Sequence, residues 1–271
     1  MVAASTQGQS STRTAPLRLP VLMYHHVGPK RDGTNRWLTV TPKAFRSQMQ
    51  WLAKHGHSAI RSSDWLAWLR DRRPLPPKPV LLTFDDGYRD LAHHAFPVLR
   101  EFGFSGLVFL VTGLLGKRNE WDLAEYPTAH ELLGSDELRR WSGEGIEFGA
   151  HSRTHADLRT LAGPALEEEV AGSFRDLHAL LGAAVCSFAY PYGYINPDVR
   201  HAVDAAFPLG FSTDEGLNDP DTDPLQLRRT MVLPGDTVLD LRFRVSRGSS
   251  PIGKMRGLAA FAGSRLLGRK D

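Results

Sequence analysis

PVLLTFDDGY, residues 79–88, is an apolar run that stops at two adjacent aspartates and a glycine. Bounded by Pro79 and Gly87, it predicts a short strand buried on both faces, as strands are in parallel sheets covered by helices. Other runs share that character: PVLMYH (20–25), HSAI (57–60), SGLVFLV (105–111), GIEFGA (145–150), VCSFAY (185–190) and LGFST (209–213). Helix signals fall between them. Thr41-Pro42 is an N-cap with proline in the first turn, opening a helix towards Lys54 that stops near Gly56. Ser63 precedes DWLAWLRD, a periodic stretch from Arg89 to Phe102 ends before Gly103, and another from Ala165 to Leu181 ends at Gly182. About seven βα repeats without a glycine-rich dinucleotide loop predict a single-domain α/β chain closed into a barrel rather than an open doubly wound sheet. In such a barrel, chemistry is expected at the carboxyl ends of the strands.

The chain has 271 residues, 41% of them hydrophobic, enough for a substantial core. Residues 1–17 are rich in Ser, Thr, Gln and Gly and lack the apolar block of a secretory signal, so they are expected to be a disordered leader. No run approaches the roughly 18 apolar residues of a membrane-spanning helix. The single cysteine, Cys186, cannot form an intrachain disulfide, which fits a reducing compartment and a cytoplasmic location. Net charge is only +3, and no nucleic-acid partner is expected. Basic residues concentrate in the tail 246–271, where Arg247, Lys254, Arg256, Arg265, Arg269 and Lys270 interleave with Leu258, Phe261, Leu266 and Leu267. That pattern suggests peripheral contact with an anionic membrane on its inner face. Residues 18–245 remain for the barrel.

The strand-end rule acts as a filter on polar residues. It collects His25 and His26 after the first run, Asp85 and Asp86 after PVLLTF, His151 and His155 after GIEFGA, and Tyr192 after VCSFAYP. Segment 113–137 exceeds a minimal connection and is expected to form a loop over that rim. Two adjacent carboxylates repel, and a divalent cation removes the repulsion: one can bind it while the other accepts a proton from water. The spacing of His151 and His155 predicts one helical turn with both imidazoles on one face. Two histidines and one aspartate leave coordination positions open for water and substrate. The same donors suit non-haem iron, and nothing in the spacing says which aspartate takes the ion. An Asp-Asp-Gly alone is usually a turn, and a His-x-x-x-His alone is usually surface helix. Their joint occurrence at the ends of two buried strands makes them a candidate site. His93 and His94 lie inside a helix, and His55 and His57 flank a helix C-terminus, where no function is needed to explain them.

TFDDGY (83–88), HSRTH (151–155) and YPYG (190–193), in that order, resemble the polysaccharide deacetylases of carbohydrate esterase family 4. The resemblance spans about residues 18–245 and implies a distorted (β/α)7 barrel that hydrolyses acetyl groups on sugars with a divalent metal, commonly zinc, with cobalt, nickel or manganese as alternatives. VLMYHHV (21–27), FAYPYG (188–193) and DPLQLRR (223–229) look like the subgroup that acts on poly-N-acetylglucosamine and related exopolysaccharides. Carried over by position, the resemblance makes Asp86, His151 and His155 the metal ligands and Asp85 the general base. The turn Pro191-Tyr192-Gly193 would present the Tyr192 backbone N–H to the oxyanion. Two departures stand out. Ala189 occupies the place of an arginine that usually tethers the base, for which Arg228 or Arg229 is the expected substitute. The usual C-terminal Leu-x-x-His, which supplies the general acid, is absent, and no histidine follows His201. The first strand lies beside the last in a closed barrel, and the resemblance to the exopolysaccharide subgroup implies that His25 on it takes that role, with His26 as the fallback, expected to point away. Trp121, Tyr126, Tyr190, Tyr192 and Tyr194 are expected at the rim, where they could stack on sugar rings.

The implied activity is metal-dependent removal of acetyl groups from N-acetylated amino sugars of a polysaccharide, oligosaccharide or glycolipid-linked saccharide, with release of acetate. O-deacetylation is a variant of it. The alternatives are an amidohydrolase for small non-sugar amides and a non-catalytic saccharide-binding module.

Overall fold

The computed structural model describes residues 17–29, 37–121, 128–182 and 185–253. Nearly all of the expected leader, Tyr126, and most of the basic tail (254–271) lie outside the described residues. Elements run in the order β1 (Leu19–Tyr24), β2 (His26–Val27), β3 (Thr39–Val40), α1 (Pro42–Lys54), β4 (Ser58–Ala59), α2 (Ser62–Asp71) and β5 (Pro79–Phe84). Next come α3 (Asp90–His94), α4 (Phe96–Glu101), β6 (Gly106–Leu110), α5 (Ser135–Gly143), β7 (Ile146–Ala150), α6 (Gly163–Leu181) and β8 (Ser187–Ala189). The chain continues through α7 (Pro197–Ala206), β9 (Leu209–Phe211), β10 (Leu217–Asn218), β11 (Thr230–Met231) and α8 (Val238–Arg247). No described helix is long and apolar enough to cross a membrane.

The sheet is ordered β10-β1-β5-β6-β7-β8-β9, parallel throughout except for β10, which lies antiparallel on β1. β11 also pairs with β1, and a few residues earlier Leu227 bridges to Phe211 of β9. Segment 227–231 therefore touches both ends of the curled sheet and closes it as a distorted (β/α) barrel. The seam is tight: Leu227 donates to the Gly210 carbonyl at 2.8 Å, and a Cβ on Gly210 would lie 2.4 Å from the Leu225 oxygen. Only glycine fits there. The HSAI run, expected as a barrel strand, pairs for two residues with the start of β5 and does not enter the barrel wall; the closing strand comes instead from DPLQLRR.

The strands alternate between two cores. Val80, Leu82 and Phe84 face the helices, whereas Leu81 joins Val21, Leu107, Phe109, Phe211 and Leu227 inside the barrel. The first helix forms as its cap predicts, with the Thr41 hydroxyl accepting from Ala44 N. The stretch Arg89 to Phe102 is two helices rather than one. Pro97 has no N–H to continue the ladder, and the chain breaks at Ala95.

Candidate active site

Asp85 is the next inward residue after Leu81 and Thr83, and its N–H still bonds to Tyr24 at 3.0 Å, so its carboxylate faces the barrel mouth. By strict alternation Asp86 would point at the helices. Instead it adopts a left-handed conformation, φ +71°, followed by Gly87 at +72°, and this turn swings its carboxylate to the same rim. Gly87 is required there, since a Cβ would lie 2.6 Å from the Leu110 side chain.

Residues 151–155 are not a helical turn. Ser152 and His155 both have positive φ, +61° and +63°, so the two imidazoles converge through a compact loop. The loop is held by Glu169 on α6, which accepts from the N–H groups of Arg153 and Thr154 and from the Thr154 hydroxyl. His151 Nδ1 lies 2.7 Å from the Ala189 carbonyl, to which it donates, and this orients the ring with Nε2 towards Asp86. Nε2 of His151 and of His155 lie 3.5 and 3.4 Å from Asp86 Oδ1. One ligand atom from each of Asp86, His151 and His155 lies within 4.8 Å of the other two, and all three residues are buried. A buried carboxylate oxygen facing two imidazole nitrogens is a donor set suited to zinc and its neighbours in the transition series.

The two aspartates are thus not equivalent. Asp85 is clamped by Arg229, Nη1 to Oδ1 at 2.6 Å and Nη2 to Oδ2 at 2.9 Å, while Arg229 Nε donates to the Ser212 carbonyl. Arg229 is fully buried, two residues along the closing strand from inward-facing Leu227. Arg228 points the other way, its stem against Gly216, so of the two candidate arginines only Arg229 reaches Asp85.

Electrostatics follow the geometry. Burial pushes the Asp86 carboxyl up, but hydrogen bonds from His151 and His155 outweigh it and hold the group well below the usual carboxylate range. Burial also raises Asp85, but the charges of Arg229, His151 and His25 together with the Arg229 hydrogen bond outweigh it and leave the group lowered. For His151 burial acts downward, yet the Asp86 hydrogen bond and the Asp85 charge leave it above an ordinary histidine. His25, partly buried between β1 and β2, feels Asp86, Asp85 and Arg229, and burial leaves its pKa lowered. His26 lies elsewhere: Nδ1 is 2.7 Å from Asp90 Oδ2 and the ring stacks on Tyr88 at 3.5 Å.

The Pro191–Gly193 turn brings Tyr192, φ +58°, beside this group, its ring edge-on to His155 at 4.6 Å. Gly193 is locked in the turn: a Cβ there would lie 2.0 Å from the Thr213 hydroxyl oxygen. Trp121, from the long loop, stacks on His155 at 4.6 Å. Tyr190 is not a rim residue. It is fully buried and its hydroxyl donates to the Leu225 carbonyl.

A polysaccharide deacetylase family model matches residues 72–207. The chain belongs to that family. The expectation of a carbohydrate deacetylase, drawn from TFDDGY, HSRTH and YPYG, holds at this level. The chain is 26% identical to the poly-beta-1,6-N-acetyl-D-glucosamine N-deacetylase of Staphylococcus epidermidis, over 78% of this chain and 78% of that protein. Among solved structures it resembles the Streptococcus pyogenes deacetylase PplD in complex with acetate (TM-score 0.73, 26% identity, 84% of this chain and 98% of that one). IcaB from Ammonifex degensii is similar in the same way (TM-score 0.71, 25% identity, 84% and 96%). Polysaccharide deacetylases share the barrel found here.

Proposed function

We propose that this polysaccharide deacetylase hydrolyses the acetamido group of N-acetylated amino sugars in a saccharide chain and releases acetate, at a divalent cation held by Asp86, His151 and His155. The observation that carries this reading is the division of labour between the aspartates: Asp86 faces two imidazole nitrogens, and Asp85 faces an arginine. The substrate class is supported by the name of the Staphylococcus epidermidis relative and by acetate in the Streptococcus pyogenes structure. Zinc is the ion best matched to two nitrogens and one carboxylate oxygen. When bound, such an ion supplies a Lewis acid that acidifies water and polarises an acyl oxygen.

The remaining steps belong to the chain. Asp85 takes the proton of the attacking water. A carboxylate offers about four lone-pair positions and Arg229 occupies two, so the clamp keeps Asp85 ionised and aimed without exhausting it. The Tyr192 backbone N–H stabilises the oxyanion. His25 donates to the departing glucosamine nitrogen, since an amine leaves only as it is protonated. A lowered pKa makes His25 the readier donor once charged.

The test is acetate release from acetylated glucosamine oligosaccharides and from simple amides, after loading with zinc, cobalt, nickel or manganese and after chelation. Release from the oligosaccharides that chelation stops and a metal restores is expected. Turnover of simple amides only would overturn the saccharide reading, and binding of oligosaccharide without acetate release would overturn the enzymatic one.

A further inference from the structure

Three large hydrophobic side chains stand out as exposed among the described residues: Leu239 on α8, and Tyr192 and Tyr194, at 43% and 42% exposure, beside the Asp86–His151–His155 group. The two tyrosine rings lie 5.5 Å apart and are tilted by 31°. With His155 edge-on to Tyr192, they form a ledge leading outward from the ligand group. Beyond them lies Arg159, whose guanidinium covers the Tyr194 ring at 3.6 Å. Arg159 is itself fixed. Its Nε and Nη2 form a fork on Asp157, at 3.0 and 2.7 Å, and Asp157 also caps the short 3-10 turn Leu158–Thr160 that carries Arg159.

This arrangement has a chemical preference. Immobilised aromatic faces suit the C–H faces of pyranose rings, because they remove apolar area from water with little side-chain entropy to lose. The ion pair with Asp157 cancels the Arg159 charge, so the ledge does not select an acidic polymer. Nη1 is left outside the fork as a donor for a sugar hydroxyl. Tyr194 plays no part in the proposed chemistry, and burial does not explain a position on which the chain spends a fixed arginine and a turn.

We propose that Tyr194, backed by Arg159 and Asp157, forms a subsite for a neutral pyranose neighbouring the amino sugar that is deacetylated, so that the enzyme selects a saccharide chain over a monosaccharide. This rests on the deacetylase reading above and adds the direction in which the chain leaves the site: over the Pro191–Gly193 turn towards the 3-10 turn at Leu158.

The experiment compares kcat and KM of the metal-loaded wild type, Tyr194→Ala and Tyr194→Phe on acetylated glucosamine monomer, dimer and hexamer. Tyr194→Ala is expected to raise KM for the hexamer about tenfold, to change kcat little, and to lower the ratio of hexamer to monomer kcat/KM by a similar factor. Tyr194→Phe keeps the ring and is expected to keep most of the preference, an outcome that loss of folding would not give. Equal effects of Tyr194→Ala on monomer and hexamer, or none on either, would overturn the subsite. Absence of acetate release from every saccharide by the wild type would overturn the deacetylase reading instead. Calorimetric titration with the hexamer then decides the subsite separately: weaker binding by Tyr194→Ala than by the wild type supports it, and equal binding overturns it.

Discussion

Asp85→Asn is expected to lower kcat for acetate release about a thousandfold while the folded chain still takes up its divalent ion. Asparagine is nearly isosteric but cannot accept a proton at neutral pH, and Asp85 lies outside the ligand group, whose atoms belong to Asp86, His151 and His155. The substitution leaves the Arg229 guanidinium without its carboxylate, so some stability is lost as well. Activity is therefore to be referred to the metal-loaded, folded fraction. Undiminished acetate release from that fraction would remove Asp85 from the role of base.

Arg229→Met is the second large effect, and it falls first on stability. It leaves the buried Asp85 carboxylate without its guanidinium partner, which costs about 3–5 kcal/mol. The pH dependence separates this from a simple packing loss. In the wild type the folded Asp85 pKa lies below its usual value, so the contribution is present above the unfolded pKa of about 3.9 and is lost only as acid lowers pH through the folded value. Without Arg229, burial dominates and the folded pKa moves above the unfolded one. The deficit of the variant is then largest at neutral pH and shrinks as Asp85 is protonated on acidification. Denaturation curves at several pH values measure it, and a deficit independent of pH would contradict the clamp. The double variant Asp85→Asn, Arg229→Met removes both charges, so it should regain stability over Arg229→Met while staying inactive.

How much of this is legible in the sequence depends on which physical rule governs each residue. Barrel strands showed themselves because a strand buried on both faces needs a continuous apolar run, as PVLLTF and SGLVFLV do. The closing strand did not, because it is short, polar on one side, and defined mostly by its neighbours. Yet alternation from Leu227 would have placed Arg229, not Arg228, inside the barrel, and the same rule would have sent Tyr190 with Phe188 towards the helices. Pro97 within a periodic stretch was a visible sign of the break between α3 and α4.

At the site, residue types and order were enough to collect Asp85, Asp86, His151 and His155. Their arrangement was not. Spacing by four suggested a helical turn, whereas the chain uses left-handed residues at Ser152 and His155. Such conformations in non-glycine residues are held by the surroundings, here Glu169 and the Ser152 hydroxyl, and leave no local signal. Glu169 reads as one more charge in the Glu167–Glu169 run, and the Ala189 carbonyl that orients His151 has no sequence signature at all. The asymmetry of the aspartates likewise arises from a residue more than a hundred positions away.

The most direct test of the account is an anomalous difference map at the zinc absorption edge from crystals of the zinc-loaded protein. A single strong peak within bonding distance of Asp86, His151 Nε2 and His155 Nε2, with Asp85 still held by Arg229, is the predicted result. A peak bound by Asp85 in place of Asp86, or no peak among these three side chains, would contradict it.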